Sequence, residues 1–163
     1  MRNVVLARVD DRLIHGQCMT VLVKRFEAKD IIVIDDFTAS NAMLKKIFIS
    51  AVPKTMNAIP CTVKESVDLL KDAVTNDRNT IVLARVPSVY AQVYKEVADL
   101  PKELNIASVQ AKDADRYITE FAHVTEAEVN AVKEIADLGV HIYFNLVPGQ
   151  TAVFEWDDLK NKF

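Results

Sequence analysis

Glycine, proline and cysteine are scarce in this chain. Three glycines and five prolines in 163 residues leave little room for flexible linkers or a low-complexity segment. The two cysteines, Cys18 and Cys61, form no Cys-x-x-Cys pair and suggest no disulfide framework; reduced thiols are expected. Every apolar run falls well short of the roughly 18 residues that a membrane-spanning helix needs. The amino terminus lacks a signal-peptide layout, because the apolar run after Arg2 is soon cut by Arg8 and Asp10. A cytoplasmic protein is therefore expected. There is no basic excess: 20 lysines and arginines face 23 acids for a net charge of −3, so nothing invites nucleic acid. Aromatics are 7% and scattered, giving no base-stacking platform. Neither Gly-x-x-x-x-Gly-Lys-Ser/Thr nor Gly-x-Gly-x-x-Gly occurs, so nucleotide-binding fingerprints are absent.

What is present is alternation. Half the residues are hydrophobic and 26% are charged, enough for a sizeable core in one domain, 1–163. Apolar runs at 3–9, 31–35, 58–63, 80–85, 105–109, 117–123 and 141–147 read as strands. Segments 18–26, 41–51, 65–74, 89–100 and 126–138 read as helices. Thr62 with Glu65, and Thr125 with Glu128, have capping-box spacing; Ser40 and Ser88 suit the N-cap position of two further helices. Alternating β and α units predict an open, mostly parallel sheet with helices on both faces, and an antiparallel edge among the late strands. In the tail 151–163, Val153, Phe154, Trp156 and Leu159 are expected to pack a short terminal helix on the body, with a neighbouring subunit as the alternative.

The richest segment is Arg8-Val9-Asp10-Asp11-Arg12-Leu13-Ile14-His15-Gly16-Gln17. It follows the apolar run Asn3-Val4-Val5-Leu6-Ala7, so it lies at the carboxyl end of a buried strand, where α/β sheets gather their ligand sites. Met19, Val21, Leu22 and Phe26 carry helical spacing from Cys18 onward, which puts His15, Gly16 and Gln17 at a helix amino terminus. Free N–H groups there favour an anion; the dipole contributes only about 0.3–1 kcal/mol, enough to orient a phosphate.

The side chains supply the chemistry. A neutral imidazole can attack phosphorus, and the product carries about two negative charges near neutral pH. Arg12 offers forked donors that fit phosphate oxygens. Asp10 or Asp11 is placed to accept the other ring N–H of His15 and fix its tautomer. Gly139 follows a predicted helix as its left-handed cap and Gly149 follows Pro148 in a turn; Gly16 has no such routine role and is assigned to the loop, where a missing Cβ admits a ligand. Arg85 ends its strand at the same edge and is a candidate phosphate or partner contact. Asp35-Asp36 reach that edge too, but two adjacent carboxylates do not make a magnesium site. His123 and His141 lack ligand spacing with His15 and read as structural. Cys18 reads as a packed cysteine.

The ten residues Arg8 to Gln17 resemble the phosphorylation-site loop of the EIIB component of the mannose/fructose/sorbose family of the bacterial phosphoenolpyruvate:sugar phosphotransferase system (PTS), with the histidine in register. Chain length and strand–helix order are similar as well. The resemblance implies a phosphocarrier. It takes a phosphoryl group from an EIIA phosphohistidine and passes it to a sugar carried by the membrane components EIIC and EIID, through which the domain associates with the membrane. It implies phosphorylation of His15, at Nδ1, and a phosphate-contacting Arg12. Arg8, Gly16 and Gln17 join Arg12 as phosphate-binding candidates, with Asp10, Asp11 and Arg85 in support. It implies no metal and no cofactor, and it is compatible with a homodimer. Two departures stand out: Gln110-Ala111-Lys112 replaces a glycine-containing turn common among relatives, and Cys18-Met19 replaces smaller residues after the loop. A regulatory phosphohistidine binding module without a transport role is the alternative, and a small metal- or anion-binding domain without turnover is the third reading.

Overall fold

The computed structural model describes residues 3–163. The first strand, β1 (Val4–Val9), runs into the polar loop and then a π-helical turn, Cys18–Leu22, that continues as α1 (Val23–Arg25). Next come β2 (Asp30–Ile34), α2 (Asp36–Ala39), α3 (Ala42–Ser50), β3 (Asn57–Cys61), α4 (Val63–Ala73), β4 (Thr80–Ala84) and α5 (Pro87–Glu96). The second half holds β5 (Glu103–Ile106), β6 (Val109–Gln110), β7 (Arg116–Thr119), β8 (Ala122–Val124), α6 (Glu126–Asp137), β9 (His141–Phe144), β10 (Phe154–Glu155) and α7 (Trp156–Leu159).

Seven strands form one sheet in the order β10-β9-β5-β1-β4-β2-β3. All pairings are parallel except that of β10 with β9. The central strands read as apolar runs because both their faces are buried. Ile32, Ile34, Val82 and Ala84 face a core closed by α4, α5, α6 and Trp156. Ile31, Val33, Ile81 and Leu83 face a smaller core closed by Leu13, Ile14, Cys18 and Leu22. Helices thus cover both faces, as predicted. The phosphorylation-loop candidate lies at the carboxyl end of β1, a central strand.

The differences are local and have physical causes. The run 117–123 is two strands: β7 and β8 pair antiparallel across Glu120 and Phe121, with no glycine, asparagine or proline to announce the turn. With β6 they form a separate three-stranded sheet. The run 105–109 divides likewise, because the chain leaves the main sheet after Ile106 and joins the small one at Val109. Asn41, not Ser40, caps α3: its Oδ1 accepts from Met43 and Leu44 N–H (3.0 and 3.1 Å). Helix α5 starts at Pro87, whose fixed φ suits the first helical position, so Ser88 lies inside the first turn. Thr62 and Glu65 form the full capping box. Thr125 forms only half of one, because the Glu128 carboxylate turns away to accept from Ser88 N–H and Oγ, both at 2.7 Å. In the tail, Trp156 is buried, whereas Val153 and Phe154 are exposed.

Trp156 packs between Phe144 (6.4 Å between ring centroids) and Phe163 (6.1 Å). Trp156→Ala is expected to cost about 3–5 kcal/mol in urea denaturation followed by circular dichroism; a loss below about 1 kcal/mol would show that the tail is not part of the core.

Candidate functional site

The loop is built around one carboxylate. Asp10 is fully buried and its side chain meets three partners. Oδ1 accepts from Arg12 N–H (3.2 Å) and Arg12 Nε (2.9 Å). Oδ2 accepts from Arg12 Nη2 (2.9 Å) and Arg8 Nη2 (3.0 Å), and meets His15 Nε2 at 3.2 Å. A carboxylate only accepts, so it selects the tautomer with the proton on Nε2. Among the described residues nothing hydrogen-bonds Nδ1, which keeps its lone pair. Of the two aspartates offered by the sequence, Asp10 orients the ring. Burial alone would raise the Asp10 carboxyl. Hydrogen bonds from His15 and Arg12 and the charges of Arg8 and Arg12 outweigh it and hold the group well below the usual carboxylate range.

Asp11 turns the other way. Its Oδ2 accepts from Gln110 N–H (2.8 Å), its N–H donates to Ser108 O (2.8 Å) and its carbonyl accepts from Arg85 Nη1. Arg85 Nε also lies 3.2 Å from Asp35 Oδ2. Asp11 and Arg85 therefore brace the loop, tying it to the small sheet and to the end of β2. Asp35 caps α2 by accepting from Thr38 N–H (3.0 Å), and Asp36 Oδ1 accepts from Val63 N–H (2.8 Å). Both carboxylates have structural work of their own.

Arg8 corrects an expectation. A phosphate-binding candidate by sequence, it is 1% exposed and sits beneath the loop. Its Nη1 donates to Asn105 Oδ1 (2.6 Å), and its Nη2 donates to Leu146 O (2.8 Å) as well as to Asp10. A guanidinium so enclosed and so occupied backs Asp10 and cannot reach a group on the outer side of the ring. Arg12, by contrast, is 38% exposed, with Nη2 3.4 Å from the exposed Gln17 Oε1. His15 is 17% exposed.

Backbone geometry sets the ring in place. Leu13 adopts φ of +55° with its side chain fully buried. Leu13 N–H returns to Asp10 O at 3.0 Å, closing a turn over Asp11 and Arg12. Helical structure begins at Gly16, and Met19 N–H donates to His15 O at 3.2 Å, so His15 stands at the helix amino terminus. The first-turn amides after it lack intrahelical partners by construction. A Cβ at Gly16 would meet nothing within 4 Å, so the face there is open rather than tightly cradled. Cys18 is buried and its thiol is pushed up to about 11 by burial. His123 packs edge-on against Tyr117 at 4.7 Å, and His141 meets Glu155 at 2.6 Å; neither joins His15. A cavity of about 660 Å³ lies between α4 and α5, and no loop residue lines it.

Sequence reasoning missed Asn105, Gln110 and Leu146 O. Gln110 stood out only as a departure from a glycine turn, and it is the residue that receives Asp11. Asn105 had one usable signal: an amide inside an otherwise apolar central strand.

Asp10→Asn removes the anion that Arg8 meets in the interior, at an expected cost of about 3–5 kcal/mol near neutral pH. The folded-state value of Asp10 lies below the unfolded value of about 3.9. Its contribution is thus fully present above about pH 4 and is lost as pH falls through the depressed value. Urea denaturation at pH 7 and pH 2 should show the gap between wild type and Asp10→Asn shrinking at the lower pH; a constant gap would show that the charge of Asp10 contributes nothing.

A family model described as PTS system sorbose subfamily IIB component matches residues 4–162. A fructose-specific EIIB component from Bacillus subtilis is 29% identical over 153 residues, covering 93% of each chain. A probable phosphotransferase enzyme IIB component from Streptococcus pyogenes is 31% identical over 152 residues, 90% of this chain and 93% of its own. Among solved structures, a protein of a phosphoenolpyruvate-dependent phosphotransferase system superposes with a TM-score of 0.84 at 28% identity, covering 98% of both chains. The IIBSor domain of the Klebsiella pneumoniae sorbose permease shares the fold, with a TM-score of 0.87 at 23% identity over 99% of this chain and 98% of its own. With the match running from β1 to the last turn of the chain, this protein belongs to the sorbose-subfamily IIB component family of the sugar phosphotransferase system.

Proposed function

We propose that His15 is the phosphoryl acceptor of this EIIB protein, that Nδ1 is the nitrogen modified, and that residues 1–163 act as one such domain. EIIB components work with EIIA and with membrane EIIC and EIID. On this reading EIIA presents its phosphohistidine to the loop. The His15 Nδ1 lone pair forms the new N–P bond as the donor N–P bond breaks, and the donor imidazole leaves with the electron pair. In the second step a sugar hydroxyl attacks the phosphorus, the Nδ1–P bond breaks, and the hydroxyl proton passes to solvent. Arg12 and the first-turn amides balance the charge on the group in flight. Gln17, exposed beside Arg12, is a further contact for it.

One observation carries the reading: Asp10 Oδ2 sits 3.2 Å from Nε2 and so commits the proton to that nitrogen, leaving the other nucleophilic. Three more support it. Cys18, three positions on, is a poor rival because its thiol is buried and hard to ionise. Arg12, Gly16 and Gln17 are exposed and the space beside Gly16 is open, so the loop presents an accessible surface, which suits a protein donor. Among the described residues no helix is long and apolar enough to cross a membrane, so on this reading contact with the bilayer is made through EIIC and EIID.

Incubation with phosphoenolpyruvate, the general PTS components and EIIA should label wild type and Cys18→Ser but not His15→Ala. Equal labelling of His15→Ala would remove His15, and loss of label in Cys18→Ser alone would move the acceptor to the thiol. Arg12→Ala should fold normally and accept the group about 100-fold more slowly, the scale of losing a charge-stabilising donor; an unchanged rate removes Arg12 from the mechanism. Addition of EIIC and EIID should yield sugar phosphate, and a phosphorylated protein that yields none would be the mark of a regulatory module.

A further inference from the structure

The interior of this parallel sheet holds a polar pair that the fold does not require. Arg8 on β1 and Asn105 on β5 are in register, and both are buried. Asn105 Oδ1 accepts from Arg8 Nη1 at 2.6 Å, and its Nδ2 donates to Asn145 O at 3.3 Å. Asn145 is itself buried and donates to Thr151 O, Thr151 Oγ1 and Ala152 O at 3.0–3.1 Å. Arg8 Nη2 reaches Asp10, and Asp10 reaches His15 Nε2. A continuous chain of contacts thus runs from the turn after β9, through Asn105, Arg8 and Asp10, to the ring. Burying amides and a guanidinium where neighbouring positions carry valine, leucine and isoleucine is costly unless each group is satisfied. Arg8 Nε is buried without a partner, so the guanidinium is held by its terminal nitrogens alone. Without the Asn105 contact the guanidinium would keep only its Nη2 anchors, Asp10 Oδ2 and Leu146 O, and Nη1 would have no partner to fix its rotation.

We propose that Asn105 is a positioning residue for His15, acting through Arg8 and Asp10. Its carbonyl fixes one terminal nitrogen of Arg8, so the other is aimed at Asp10 Oδ2. That oxygen is also the one that holds the Nε2 proton. Asn105 is neutral, which leaves the whole Arg8 charge for Asp10. An aspartate at 105 would have nearly the same shape but would compete with Asp10 for that charge. The charged and titratable groups around Arg8 are Asp10 and Arg12 in the loop, the Cys18 thiol after it, the Tyr90 hydroxyl, which accepts from Arg8 N–H at 3.0 Å, and Tyr143, in register with Asn105 on β9.

The inference rests on His15 being the acceptor, and the experiment separates the two ideas. Nitrogen-15 NMR of the unphosphorylated wild-type protein should place the His15 proton on Nε2; a ring protonated mainly on Nδ1 overturns the proposal without any variant. In Asn105→Asp, with the fold checked by circular dichroism, the Nε2–H population should fall. The rate of phosphoryl transfer from EIIA should fall about tenfold, the scale of a small misplacement of a reacting group. Asn105→Ser, which keeps a neutral acceptor, should retain more of both. Wild-type tautomer and rate in folded Asn105→Asp overturn the proposal. If label never appears on His15 while the tautomer shifts in Asn105→Asp, the acceptor reading fails and the positioning role stands.

Discussion

The site depends on an anion kept out of water. Asp10 is enclosed at the end of β1 with two guanidiniums and an imidazole around it. An unpaired carboxylate there would take up a proton, because burial penalises charge. With Arg8 behind it and Arg12 in front, the charged form wins, and three consequences follow together. Arg8 remains charged in the interior. Arg12 is held as a closed fork over the loop. The His15 ring takes a single tautomer. Removing the carboxylate would release all three, which makes the cluster one unit rather than a set of separate ion pairs.

The rest of the fold holds that unit still. The loop is fastened to β4 through Asp10 N–H and Ala84 O (2.9 Å), to the small sheet through Asp11 and Gln110 (2.8 Å), and to the core through Leu13. Leu13 accepts a left-handed backbone, a conformation that costs a non-glycine residue about 1–2 kcal/mol, and full burial of its side chain offsets that cost. The turn over Asp11 and Arg12 brings the carbonyl of Asp10 to Leu13 N–H, and the left-handed Leu13 redirects the chain beyond it toward His15, whose ring meets the Asp10 carboxylate. Tyr90 adds a brace from α5: its hydroxyl accepts from Arg8 N–H and donates to Val82 O (2.8 Å), linking β1, β4 and the helix in one contact. A phosphocarrier benefits from such rigidity because positioning speeds transfer without binding the phosphoryl group too tightly to release.

Where the sequence could be read and where it could not follows from the range of the interactions involved. The central strands β1, β2 and β4 are visible because burial on both faces leaves runs dominated by valine, isoleucine and leucine. The capping box at Thr62 and Glu65 is visible because both partners lie within one turn. At Thr125 the same spacing misleads, since Glu128 finds Ser88, forty positions earlier in the chain, and a helix-to-helix contact outcompetes the local one. The hairpin of β7 and β8 escapes notice because Glu120 and Phe121 carry no turn signature. Arg8 shows the limit most plainly. It opens a polar decapeptide that resembles a phosphorylation loop, yet a partner on β5 holds it inside the sheet.

The sequence alone determined the architecture, the place of the loop at the carboxyl end of a central strand, and the cast around His15. These depend on short-range patterns: apolar runs, helical spacing and a decapeptide with its histidine in register. Only the tertiary structure decided which aspartate takes the ring, that Arg8 stands behind the site and Arg12 before it, and that Asn105, Gln110 and Leu146 belong to the neighbourhood. Those assignments depend on strands that are remote in sequence and adjacent in the sheet, and on which charged groups are shut away from water. Neither register nor burial is a property of any short stretch of chain, so both had to come from the folded molecule.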